Sequence, residues 1–137
     1  MKLSESPEDR SPSRQLIEHA LHVIGIEEDV TVYWEVDVEH DDTIIGRIAS
    51  PLGFHQYRHH RPSGEPSWQL DLDTYVPWSD ATVTFGTSSR HTGQQFESML
   101  DMSVEGWLVS TRTGRPEFQS LAEFLAAALR YKHALGD

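Results

Sequence analysis

The sequence predicts an α+β protein: an antiparallel sheet of about five to seven strands in a meander, with an N-terminal and a C-terminal helix packed on one face. Three stretches carry that expectation. Val30, Val32, Trp34, Val36 and Val38 alternate with Thr31, Tyr33, Glu35, Asp37 and Glu39, the period of a strand with one apolar and one wet face. Trp68, Leu70 and Leu72 alternate with Gln69, Asp71 and Asp73 in the same way. Near the carboxyl end, Ser120-Leu121-Ala122-Glu123 reads as a capping box ahead of an apolar stripe of Leu121, Phe124, Leu125, Ala128, Leu129 and Leu135. Antiparallel sheets bury one face and leave the other to water, which suits the two alternating stretches.

In chain order, residues 1–10 are polar, with Pro7, Glu8 and Asp9, and read as a frayed tail; residues 11–137 read as one domain. A helix is expected from Ser11, with Pro12 in its first turn, Leu16, Ile17, Ala20, Leu21 and Ile24 as its apolar stripe, and Gly25 as its stop. The strand at 30–39 follows. His40-Asp41-Asp42 then reads as a turn, and Thr43 to Ala49 as a second strand pairing antiparallel with the first, since the connection is short. Gly46 inside it marks a bulge or a close backbone approach. A third strand spans 54–60, and the prolines and glycine of 61–66 make a loop. After the strand at 67–76, residues 80–86 supply another, with Ala81, Val83 and Phe85 inward. Residues 86–93 read as a polar loop. Thr92-Gly93-Gln94-Gln95 reads as a capping box opening a short helical turn that passes into a strand ending near Val104. A strand at 106–112, a turn at 113–116 and the final helix complete the chain.

Composition narrows function. A formal charge of −11 repels nucleic acid and anionic membrane and attracts basic surfaces. With no cysteine, thiolate metal sites, disulfides and thiol nucleophiles are excluded. No apolar run approaches the roughly 20 residues of a membrane span, and no secretory signal opens the chain, so a soluble cytoplasmic protein is expected. The eight histidines would neutralise much of the negative charge as pH falls through about 6.5.

Four groups of residues are candidates for chemistry. If the two alternating strands are neighbours, Glu35, Asp37, Glu39, Asp71 and Asp73 project from one sheet face, joined there by Tyr33 and Tyr75, with Asp101 and Glu105 as extensions and Arg47 and Arg58 as counter-charges. Carboxylate pairs of that kind also meet the wide separation range of glycosidases, but any acidic sheet does so by chance. His55, His59 and His60 form a histidine-rich strand end, a weak alternative metal site because His55 and His59 stand about 13 Å apart on a straight strand. Arg90 and His91, at a loop expected to open a helix, are candidates for holding an anion; the segment lacks the ending of a P-loop, and no Gly-x-Ser-x-Gly elbow occurs. Trp34, Trp68 and Trp107 fall on inward faces, whereas Trp78, following Pro77, reads as an interface anchor.

The reading these residues favour is an acidic protein-binding module that neutralises or chaperones a basic partner, of inhibitor or immunity-protein type, through a carboxylate-rich sheet face. No cofactor is implied. The alternative is a small-ligand-binding domain or enzyme with a site between sheet and helix using His and Arg residues. A homodimer formed through an unpaired sheet edge is a third reading.

Overall fold

A computed structural model describes residues 1–5, 14–37, 42–62 and 65–134. The expected architecture is present: an α+β chain with antiparallel strands and a helix towards either end. Helix α1 spans Arg14–Val23 and α2 spans Phe118–Ala134. Between them run β1 (Thr31–Val36), β2 (Ile44–Ala49), β3 (Gly53–His60), β4 (Gln69–Pro77), β5 (Val83–Thr92), β6 (Gln95–Val104) and β7 (Trp107–Arg112). The meander is divided into two sheets, of order β1-β2-β3-β4 and β5-β6-β7. The expected caps Ser11 and Pro12, the strand end at Val38 and Glu39, His40 and Asp41 of the turn, and Leu135 lie outside the described residues.

Helix α1 ends as its glycine requires. Gly25 has φ 86°, its N–H donates to the His22 carbonyl (3.0 Å), and the Ile26 N–H donates to the Leu21 carbonyl (2.9 Å). This is a Schellman closure, and the apolar contact that accompanies it is supplied by buried Ile26 and Leu21. Residues 1–3, expected to fray, instead line the outer edge of β1: Leu3 N–H donates to Val30, Val32 N–H donates to Met1, and Leu3 is buried. An apolar Leu3 beside unpaired strand groups gives that segment both contacts and hydrogen bonds.

The four-stranded sheet is covered on both faces, α1 on one and α2 on the other, rather than by both helices on one face as expected. Val32 on β1, Ile48 on β2 and Tyr57 on β3 pack with Ile17 and Leu21 of α1. Their strand neighbours Tyr33, Ala49 and Phe54 face the opposite way, against Leu121, Phe124 and Ala128 of α2 and against Met102 and Val104 of the second sheet. Thr31 and Tyr33, read as water-facing, are therefore enclosed: Thr31 is buried, and the Tyr33 ring lies 5.7 Å from that of Trp107. A strand in a three-layer arrangement has no wet face where both helices reach it.

Trp78 is the main correction among the aromatics. It is 1% exposed, its indole N–H donates to the Ser50 carbonyl at 2.6 Å, and its ring lies 6.1 Å from Tyr131 of α2. Lys132 of α2 donates to the carbonyls of Trp78 and Ala81, fixing the connection between the two sheets. Pro77 turns the chain inward at the sheet junction, so the residue after it fills the core rather than the surface. Trp68, expected inward, precedes β4 and is 45% exposed.

Residues 86–93 are strand, not loop. Strands β5 and β6 pair continuously from Val83↔Val104 to Thr92↔Gln95, joined by the two residues Gly93 and Gln94. Gly93 takes φ 63°, the positive angle that the first central position of a type II′ hairpin demands. The apparent capping box at 92–95 is thus a tight turn, and no helix forms there. The final helix begins at Phe118, ahead of the expected Ser120, with its first intrahelical bond from Leu121 N–H to Glu117.

One buried hydroxyl has no partner among the described residues. Tyr57 is fully buried, its Oη makes no hydrogen bond, and burial pushes its phenol well above the ordinary range. An unsatisfied buried hydroxyl costs about 1 to 3 kcal/mol. Tyr57→Phe is therefore expected to stabilise the fold by about 1 kcal/mol, read as a higher urea midpoint at unchanged slope. A lower midpoint would show that the hydroxyl is bonded.

Candidate functional site

Strands β1 and β4 are the two outer strands of their sheet, not neighbours, so the expected carboxylates do not form one block. Register places Glu35 opposite Ile45, Ile45 opposite Arg58 and Arg58 opposite Asp71. Glu35 and Asp71 thus lie in one row on the same face, three strand spacings or roughly 14 Å apart. That exceeds what paired carboxylate catalysis uses.

Each is locally compensated. Glu35 accepts from Arg47 Nη1 at 2.7 Å, and the Arg47 guanidinium lies 4.5 Å over the Trp107 ring. Asp71 accepts from Gln69 at 2.7 Å and lies 2.9 Å from His60 Nε2; these bonds, with the Arg58 charge, hold its carboxyl below the ordinary range. Asp37 directly follows β1, its N–H donating to the Thr43 carbonyl. Glu39 lies outside the described residues.

Asp73 and Tyr75 do come together. Opposite Gln56 and Tyr57, β4 carries one extra residue: Tyr57 pairs with Leu72 and Gln56 with Thr74, leaving Asp73 unpaired in a bulge. Beyond it, Tyr75 falls on the α1 side of the sheet. It helps line an open concavity of about 460 Å³ with Ile24, Leu52, His55, Leu72 and Asp73. The walls are apolar, and Ile24, Leu52 and Tyr75 all present surface to solvent, Tyr75 at 53%. The Tyr75 hydroxyl donates to the Leu52 carbonyl (3.2 Å), which fixes the ring across the mouth.

His55 forms the back of this concavity. It stacks on Tyr75 at 5.1 Å and lies 2.9 Å from the Ser50 hydroxyl through Nε2. Burial lowers its pKa to about 4, so the ring is neutral near pH 7. A neutral histidine beside a serine resembles a hydrolytic dyad, but Ser50 has no exposed surface. Its oxygen accepts from the N–H groups of Leu52 and Gly53, closing the turn between β2 and β3. The pair is structural.

The other expected sites are dispersed. His59 is buried and stacks on Trp68 at 4.9 Å, while His60 faces Asp71 on the opposite side of the sheet. Among the described residues no group of three or more His, Asp or Glu is placed to hold a metal ion. Arg90 and His91 sit on β5 rather than at a helix start; Arg90 is paired with Glu97 at 2.8 Å and His91 stacks on Phe96. Without helix N–H groups, the expected anion site loses its donors.

His55 was expected as a metal ligand rather than as the back of a concavity, and Ile24 and Leu52 were missed as site residues. Their signal was weak: Ile24 sits just past the last turn of α1, and Leu52 in a turn, where an exposed apolar side chain is ordinary.

The chain is an α+β protein with two antiparallel sheets, and it matches no family model, no curated protein and no solved structure. Among the described residues no helix is long and apolar enough to cross a membrane.

Proposed function

We propose that this protein is an acidic protein-binding module whose partner is basic, and that a lysine or arginine of the partner enters the concavity between α1 and β4. The supporting observation is the division of charge along the chain. Sixteen carboxylate and six basic residues precede Val83, whereas six and five follow. The N-terminal helix and four-stranded sheet thus belong to the part of the chain that carries nearly all of the excess negative charge. Such a field steers a basic protein towards that side.

The concavity supplies what a long basic side chain needs. Its apolar walls accommodate the methylene stem, Asp73 offers a carboxylate at the rim, and the Tyr75 ring offers an aromatic face for a cation. Neutral His55 at its back adds no opposing charge. Glu35, Asp37 and Asp71 contribute to the field, although reversing Glu35 would leave Arg47 beside a second cation. Asp73 and Tyr75 are therefore the better test positions.

Immobilised protein is expected to retain a basic partner from the source lysate at low salt and to release it at high salt. The double variant Asp73→Lys/Tyr75→Ala is expected to fold and to weaken that retention at least tenfold, about 1.4 kcal/mol. Equal retention by the folded double variant would sink the proposal for this concavity. Salt-insensitive retention would remove the electrostatic basis altogether.

A further inference from the structure

The outer strands differ in how well their edges are guarded. The β1 edge is occupied by residues 1–3. The β4 edge carries Asp71, Asp73, a bulge and Pro77, all features that discourage further pairing. The β5 edge has none of these over its first seven residues: Val83 to Ser89 contain no charged side chain, no proline and no register break. It runs ten residues. Alternate N–H and C=O groups along such a strand point away from β6, unpaired by the sheet.

Apolar surface collects at the same place. Phe85 is 54% exposed, and between β5 and α2 lies a shallow groove of about 330 Å³ lined by Phe85, Leu100, Phe118, Leu125, Ala126 and Leu129. The charge there is nearly balanced. Between Val83 and Arg112 the charged residues are Arg90, Glu97, Asp101, Glu105 and Arg112, and Arg90 and Glu97 pair with each other.

We propose that β5 is the interface between two copies of this chain. The β5 strands would pair antiparallel about a two-fold axis near Thr87 and Ser88, joining the three-stranded sheets into one of six strands. The charge distribution selects this occupant. Two bodies of charge −11 repel each other when their carboxylate-rich parts face, and the nearly neutral β5 edge lets them meet with those parts apart. An isologous pair also supplies each groove with the Phe85 of the other copy, and an antiparallel strand pair closes on itself rather than growing into a filament. A basic peptide strand would find no carboxylate on β5 to recognise. This inference does not depend on the basic-partner proposal, which concerns another surface.

The test is the mass of the full chain in solution by light scattering and sedimentation over a range of concentration. Native protein is expected at the mass of two chains, with association strengthened by salt as the net repulsion is screened; binding of a basic partner responds to salt in the opposite sense. Thr87→Lys/Ser88→Lys places four ammonium groups near the axis on exposed positions and is expected to give one-chain mass with unchanged circular dichroism. Mixing it with Thr87→Glu/Ser88→Glu is expected to restore the two-chain mass. Native protein that stays monomeric throughout, a folded lysine variant that still dimerises, or open-ended assembly overturns the proposal. Should the lysine variant not fold, amide exchange in the native chain decides: β5 amides gain protection as concentration rises, and concentration-independent exchange there overturns the proposal equally.

Discussion

Gly46→Ala is expected to destabilise the protein by about 3 kcal/mol, the upper part of the range for overpacking a core. The reason is the Tyr57 ring, which lies directly across Gly46 from the neighbouring strand. A Cβ at position 46 would occupy the space of the ring's Cζ, Cε1 and Oη atoms. The ring cannot yield easily, because Tyr57 is fully buried among Val32, Ile48, Ile17 and Leu21. The sequence marked Gly46 as a bulge or a close approach; β2 has no register break there, and the close approach is what the structure contains. The midpoint of urea unfolding should fall at unchanged slope. Combining Gly46→Ala with Tyr57→Leu should cost less than the sum of the two single changes, since the smaller side chain vacates the disputed space. Strict additivity would show that the two positions do not contend.

Acidification from pH 7 to pH 4 is expected to remove about 3 kcal/mol of stability through His55 alone, at ~1.36 kcal/mol per unit of pKa difference. Burial lowers this histidine from its ordinary 6.5 to about 4. Between those values the unfolded chain binds a proton that the folded chain excludes, so stability rises with pH across the window. The contribution is complete above pH 6.5 and is lost as pH falls to 4. His59 is lowered as well, first by burial and then by the His60 charge, and acts in the same direction. The depressed Asp71 carboxyl loses its contribution only as pH falls below its ordinary 3.8, so the windows separate. His55→Gln lowers stability overall by removing the stack on Tyr75, but its unfolding midpoint should vary much less between pH 6.5 and 4. An undiminished slope in that variant would assign the acid sensitivity elsewhere.

What could be read from the sequence was what alternates. Strands β1 and β4 and both helices carry apolar residues at the period of the element, and the boundaries of β1 to β4 and of the helices lie within a few residues of those expected. Beyond the strand expected at 80–86, the rest of β5 escaped because nearly all of it is exposed on both faces, which leaves no period-two signal in Gly86 to Thr92. Its one legible clue was Gly93, a turn residue between two stretches of strand-forming composition. The acidic face was misread for a different reason. Alternation shows which residues share a face along one strand but carries nothing about strand order, and β1 and β4 proved to be the sheet's two outer strands. Nor does it show how many layers cover a strand, which is why Thr31 and Tyr33 were assigned to water. Trp78 and Trp68 exchanged places because the pattern ends at Pro77, and only the sheet junction determines where the next side chain goes.

The extra residue in β4 acts as a phase shift in the strand's alternation. Leu70 and Leu72 face α1 before it; after it, Tyr75 takes that side and Val76 the other, where it joins the core under α2. Without the shift the same letters would send Val76 towards the concavity and Tyr75 into the packed interior. Deleting Asp73 would return β4 to a regular strand in which Leu72, Thr74, Tyr75 and Val76 keep the sides and partners they have. Straightening the strand while keeping the residue would instead invert the facing of every residue from Thr74 to Pro77, against the register held by Gly53 to Gln56. The extra residue and its bulge are thus a matched pair: β4 keeps its facing with both or with neither, and loses it with the residue alone.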